Sequence, residues 1–378
     1  MNSSKLVDED EPLFDSLIND LFPNLVLTKL GHPRLEEAIQ QTVEEESLTA
    51  HAPWLVKIIQ LFETQKVRHG IMVIGPSGAG KSNCISLLAK ALSRVEEVPV
   101  KEVKLNPKAI TDGQMFGKMD AATNDWSDGI FSSLWRRTIK STKVNWWLIL
   151  DGPVDPHWIE NLNSVLDDNK ILTLASNERI ALTPTMKLLF EISNLRTATP
   201  ATVSRAGILY INPEDLGWNP YVTSWVERRE NAHEKTNLTI LFDKYTPGLQ
   251  AIIKNKFKKI TPIPGINHVK MLCSLLEAVI TPANIPQDAP RELYELYFVF
   301  VAVWSYGSAL FHDGQSDFRA EFSKWFTHEF KSVKFPLGMS VFDVWVDPVA
   351  GMDVKNNCFD FKMFLRRARV MERSVAKV

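Results

Sequence analysis

Residues Gly75-Pro76-Ser77-Gly78-Ala79-Gly80-Lys81-Ser82 follow the pattern G-x-x-x-x-G-K-[ST]. Glycines at these places let backbone N–H groups turn inward on phosphate oxygens, and a helix starting at Lys81 adds the partial positive charge of its N-terminus. In such a loop Lys81 reaches the β- and γ-phosphates and Ser82 binds Mg²⁺, while Pro76, Ser77, Gly78, Ala79 and Asn83 complete the cradle. The chemistry is that of a nucleoside triphosphate such as ATP, or of a diphosphate product such as ADP.

A second run, Trp146 to Leu150, is wholly apolar and ends in Asp151-Gly152, where an ATPase of this type carries Asp-Glu. A carboxylate at the C-terminal end of a buried strand can hold a magnesium water, which gives Asp151 a metal role beside Ser82. Read alone, Asp151 could also open an Asp-Gly-Pro turn; the need of the phosphate loop for a metal partner favours the metal. Gly152 has no side chain with which to polarise an attacking water, and loss of a positioned general base costs about 10²- to 10⁴-fold in rate. Asp155 and Glu160 are the nearby acids that could substitute. The expectation is a site that binds nucleotide and Mg²⁺ and hydrolyses poorly.

These residues need a scaffold, and the pattern supplies one. Short apolar strands at Ile71–Ile74, Val100–Leu105, Trp146–Leu150, Leu188–Ile192 and Ile208–Ile211 alternate with amphipathic helices, which predicts an α/β domain with a largely parallel sheet. Helices are expected after the loop from Lys81 to Leu92, near Trp126 to Ile139, and from Pro156 to Asp168. Leu172–Ala175 and Ile180–Leu182 flank Ser176-Asn177 and predict an inserted β-hairpin. Asn194, just past a strand end, can bond a γ-phosphate or its water, or simply form a turn. Arg205 follows a helical turn started at Pro200 and, on residue pattern alone, is a surface arginine.

The breaker-rich stretch Pro213 to Pro220 marks a boundary, after which helical spacing dominates. Phe318, Phe322, Trp325, Phe326 and Phe330 form one stripe, read as core, as do Leu272, Leu275, Leu276 and Val279. The organisation expected is a helical lead-in over 1–24, a large nucleotide-binding α/β domain over 25–212, a smaller helical lid over 213–335 and a tail over 336–378. No internal repeat is found.

The 378 residues carry 43 basic and 45 acidic side chains, a net charge of -2, which gives no electrostatic reason to propose nucleic acid. The cluster Lys254 to Lys259 reads as a solvated helix face. Cys84, Cys273 and Cys358 are widely spaced and lack zinc-ligand spacing, which fits a reducing compartment. The acidic start MNSSKLVDEDEP has no apolar core and predicts no secretory leader. Leu296–Phe311 is shorter than the ~20 residues a bilayer requires and reads as a buried helix, so no membrane is expected.

The loop together with LNPKAITDGQMFG (105–117), NDWSDGIFSSLWRR (124–137), LDGPVDPHWIENLNSVLDDNKILTL (150–174) and TPATVSRAGILY (199–210) closely resembles the second AAA+ module of the dynein heavy chain motor ring, most like an axonemal outer-arm β-type chain. The likeness runs from about Lys5 to Pro348 and weakens beyond. The resemblance implies an AAA+ P-loop domain with a helical lid, one of six modules in a much longer motor. It implies that Gly75, Gly80, Lys81 and Ser82 bind ATP and that Asp151 serves the metal. Asn194 takes the sensor position, and Arg205 reaches in trans into the neighbouring module's site. Tyr297, in the register that matches Gly307, stands where active modules carry a sensor arginine. Gly152 in place of Glu matches a module that holds ATP as a structural ligand. Implied partners are the neighbouring modules, with dynein intermediate and light chains and microtubules reached through the rest of the motor. The implied location is the cytoplasm and cytoskeleton, in the axoneme of a cilium or flagellum. Two other readings stay open on residues alone: a freestanding AAA+ ATPase, and a scaffold with a vestigial site.

Overall fold

The computed structural model describes residues 3–7, 9–23, 31–141, 143–335, 338–346 and 362–363. The chain divides into two compact units, Met1–Pro220 and Tyr221–Val378.

The first unit is built on five strands, β1 (Gly70–Ile74), β2 (Val100–Leu105), β3 (Asn145–Asp151), β4 (Met186–Ile192) and β5 (Gly207–Tyr210). They form one sheet in the order β2-β3-β4-β1-β5, with every pairing parallel. Near-continuous apolar sequence is what a parallel sheet covered on both faces requires. The two faces are distinct cores. Met72, Ile74, Leu148, Leu150, Leu188 and Phe190 pack on one side with Phe131, Trp135 and Trp158. Ile71, Val73, Trp147, Ile149 and Leu189 pack on the other with Ile58, Leu61, Cys84, Ile85 and Leu88. The second face is therefore the one covered by the helices Ala52–Val67 and Lys81–Val95.

Register then decides which polar residues meet at the C-terminal edge of the sheet. Asp151 lies opposite Glu191, and Lys104 opposite Ile149. Since side chains alternate and directly paired residues share a face, Lys104, Asp151 and Glu191 all lie on the face covered by helix Lys81–Val95.

Two expected helices differ. Trp126–Asp128 is a strand paired antiparallel with Gly117–Met119, and the helix starts only at Ile130. A Cβ at Gly129 would lie 2.3 Å from the Met115 carbonyl oxygen, so the backbones touch there and Gly129 stays extended. The Pro156–Asp168 segment is divided into Pro156–Ile159, a 3₁₀ turn Glu160–Leu162, and Asn163–Leu166. Ile159, Leu162 and Val165 are spaced by three and are all fully buried, which suits the three-residue repeat of a 3₁₀ turn. The hairpin forms from Ile171–Thr173 and Arg179–Ala181, with Asn177 left-handed in its turn.

The second unit is helical, with Ala232–Asn255, Gly265–Val279, Arg291–Gly307 and Phe318–Glu329 its longest elements. Arg291–Gly307 is buried along most of its length, and its Glu295 accepts hydrogen bonds from Lys244 Nζ (2.5 Å) and the Tyr245 hydroxyl (2.6 Å). No helix among the described residues is long and apolar enough to cross a membrane. Phe318, Phe322, Phe326 and Phe330 are buried, with Trp325 edge-on to Phe330. The tail from 347 onward lies outside the described residues apart from Lys362–Met363.

Candidate nucleotide-binding site

The loop is fixed at both ends. The Gly75 N–H donates to the Ile192 carbonyl at the end of β4 (3.2 Å), and the Cys84 N–H donates to the Gly80 carbonyl, starting the helix (2.9 Å). Gly78 and Gly80 have φ of 87° and 86°, a left-handed conformation that glycine adopts without steric cost. Gly75 is needed for a different reason: a Cβ there would lie 2.4 Å from the Ile211 carbonyl oxygen. Ala79 is buried against the core, while Ser77, Ser82 and Asn83 are exposed and Pro76 and Gly78 partly so.

Lys81 is buried and its Nζ donates to the carbonyls of Gly75 (2.8 Å) and Pro76 (2.9 Å). Burial pulls its pKa down, against the opposing pull of the Glu191 and Asp151 carboxylates. Those backbone bonds hold the ammonium within the loop, where phosphate oxygens would compete for it.

Ser82 Oγ donates to Glu191 Oε1 at 2.5 Å. Lys104 Nζ lies 2.9 Å from Glu191 Oε2, 3.4 Å from Asp151 Oδ2 and 3.4 Å from Ser82 Oγ. Desolvation lowers the pKa of Lys104, but Glu191 and Asp151 outweigh it and the net direction is upward. Glu191 and Lys104 were not among the residues read from sequence as site residues. The available signal was a lone acid within the apolar run Leu-Leu-Phe-Glu-Ile, and a lysine at an alternate position of β2. Ser82 and Asp151, with Glu191 beside them, offer the hard oxygen donors that Mg²⁺ prefers, so the residues present fit that ion.

Gly152 follows Asp151 and its N–H donates to the Glu191 carbonyl (3.3 Å). Asp155 is engaged elsewhere: it caps the helix at Pro156 through the His157 N–H and accepts from His157 Nδ1 at 2.6 Å, which lowers its pKa. Glu160 is exposed on the following 3₁₀ turn. Asn194 forms a local turn, its Oδ1 accepting from the Arg196 N–H (3.1 Å). Arg205 ends the short helix Pro200–Arg205, which Thr199 caps. Its Nε donates to Asp167 Oδ1 (2.5 Å) and its Nη1 to the Ala201 carbonyl (3.2 Å).

A parallel five-stranded sheet with a phosphate loop between β1 and its helix, followed by a helical unit, defines an AAA nucleotide-binding module with its lid. Residues 70–206 match the AAA domain of the dynein-related subfamily, and residues 238–353 match the dynein heavy chain AAA lid domain. Residues 1–82 match the hydrolytic ATP binding site of the dynein motor region. The ciliary dynein beta chain of Tripneustes gratilla is 52% identical over 347 residues, which cover 92% of this chain and 8% of that protein. Human dynein axonemal heavy chain 9 is 51% identical over 348 residues, and mouse dynein axonemal heavy chain 5 is 45% identical over 355, with the same coverage. The chain belongs to the AAA region of the dynein heavy chains, and it spans about 8% of the length of these relatives.

Proposed function

We propose that this chain is the second AAA+ module of an axonemal dynein motor, and that it holds Mg-ATP as a structural or regulatory ligand with little turnover. The observation that carries the reading is Gly152: the position after the metal acid has no carboxylate, and its backbone sits against Asn106, where a Cβ would lie 2.9 Å from Oδ1. The loop N–H groups and Lys81 bind the phosphates, and Ser82 and Asp151 hold the metal, which neutralises phosphate charge when bound. Asn194 would orient the terminal phosphate by exchanging its local bonds to Ser193 and Arg196. Turnover is slow because the position after the metal acid carries no carboxylate to take the proton of an attacking water.

The names of the relatives place those proteins in cilia and axonemes, and we extend the axoneme and cytoskeleton to this chain. Its immediate partners are the adjoining modules of the same heavy chain. Intermediate and light chains and microtubules are engaged by the rest of the motor. Arg205 serves the site of the preceding module in trans.

The test is nucleotide analysis. The purified chain is denatured and released nucleotide identified by chromatography, and added ATP is followed with Mg²⁺ for hours. ATP retained uncleaved is the expected result; ready hydrolysis would overturn the structural-ligand reading.

A further inference from the structure

Asp151 and Glu191 stand directly opposite each other on β3 and β4, and like charges at paired positions repel. Glu191 cannot relieve this by turning to solvent, because it is only 8% exposed. Asp151 is 49% exposed and screened by water, but the buried Glu191 gains from a cation beside it, and Lys104 supplies one from β2. Its ammonium lies within 3.4 Å of oxygens from Glu191, Asp151 and Ser82 together. Ser82 and Asp151 are the same residues that would hold Mg²⁺, so a lysine ammonium and a divalent ion have use for one set of oxygens. Lys104 is the member free to leave: its side chain is 44% exposed, so the ammonium can exchange protein oxygens for water at small cost.

We infer that Glu191 is the second carboxylate of the metal site and that Lys104 is a tethered counter-cation which competes with Mg²⁺ for it. Entry of the metal with nucleotide expels the Lys104 ammonium to solvent. Glu191 then keeps the Ser82 hydroxyl bond and takes the metal's water shell, an orienting role rather than a catalytic one. Lys104 thereby sets the free Mg²⁺ concentration at which nucleotide is retained. This rests on the ATP-binding reading above.

The experiment measures binding of a fluorescent ATP analogue to the full chain across a free Mg²⁺ series and in EDTA, for the native protein, Lys104→Met, Lys104→Gln and Glu191→Gln. Each variant's ligand-free melting curve serves as the folding control. Removing the tethered cation lowers the half-maximal Mg²⁺ concentration by about three- to tenfold, with no gain of affinity in EDTA. Glu191→Gln raises it by about 10- to 100-fold, as loss of groups that orient metal ligands does. A lysine that instead binds phosphate would give the opposite sign, weaker binding with and without Mg²⁺, and that result overturns the inference. So does an unchanged Mg²⁺ dependence in both lysine variants. Failure of the native chain to bind the analogue at any Mg²⁺ concentration sinks the ATP-binding reading itself, and the inference with it.

Discussion

Gly152 and Asn106 are packed so closely that a side chain on residue 152 would begin 2.9 Å from Asn106 Oδ1, the atom that accepts the Lys108 N–H and caps the turn Pro107–Ala109. An acid at position 152 must therefore displace that cap. Gly152→Glu alone is expected to lower stability by about 1 kcal/mol, the usual worth of a lost cap, read as a fall in the denaturation midpoint. Asn106→Ala with Gly152→Glu removes the collision, and its single-turnover ATP cleavage should exceed that of the native chain by about 10²-fold or more. A double variant as inert as the native chain would show that the missing acid is not what limits turnover.

If the loop binds nucleotide as proposed, Lys81 is the residue whose loss should cost most affinity. Its Nζ donates to the Gly75 and Pro76 carbonyls, which holds the ammonium inside the loop, where a phosphate would meet it. Lys81→Ala should abolish stabilisation by ATP. At a nucleotide concentration about 100 times Kd the native chain gains about 2.7 kcal/mol, visible as a rise in melting temperature that the variant lacks. Equal rises in both proteins would remove Lys81 from the binding site.

How much of this was legible in the sequence follows from what each feature depends on. The strands at the centre of the sheet could be read because residues such as Trp147, Leu148, Ile149 and Leu150 are buried on both faces, and burial on both faces writes itself as a continuous apolar run. The loop could be read because its pattern is carried by contiguous residues. Glu191 and Lys104 could not, since their meeting with Ser82 depends on the register of three strands drawn from positions 100 to 192. The start of the helix at Ile130 was hidden for a similar reason: Trp126 packs over Gly117, where a Cβ would meet its ring at 2.3 Å. That contact between segments overrides the local spacing. Arg205 was visible as a residue type, but its bond to Asp167 was not.

His268 should make the helical unit sensitive to acid. It is 2% exposed, its Nδ1–H donates to the Ser305 carbonyl at 2.8 Å, and its ring stacks on Tyr306. Burial pushes its pKa below the ordinary 6.5, against the opposing Ser305 bond, and Lys259 adds to the lowering. A histidine depressed in the folded state binds its proton more readily when unfolded, so it contributes stability above the unfolded pKa that is lost as pH falls through the folded one. The melting temperature of this unit is expected to fall as pH is lowered from about 7.5 to below 6. His268→Phe should flatten that dependence over the same range. An equal slope in the variant would assign the acid sensitivity to other groups.

Arg205 tests the place of this module in a larger assembly. In this chain the guanidinium is anchored by Asp167 and by the Ala201 carbonyl, with about a third of the side chain exposed. Such an anchor fixes the direction of the arginine without consuming all its donors, since a guanidinium has five N–H groups. If Arg205 acts on the neighbouring module, Arg205→Ala should leave ATP binding by this chain unchanged. In the complete motor the same substitution should reduce ATP turnover by about 10³-fold or more. Arg205→Lys should fail to restore it, because a point charge lacks the planar fork. Asp167→Asn should give a smaller loss, since it loosens the aim and keeps the charge. Full motor activity with Arg205→Ala would return Arg205 to an ordinary surface ion pair, and a matching loss of ATP binding in this chain would place its action in cis.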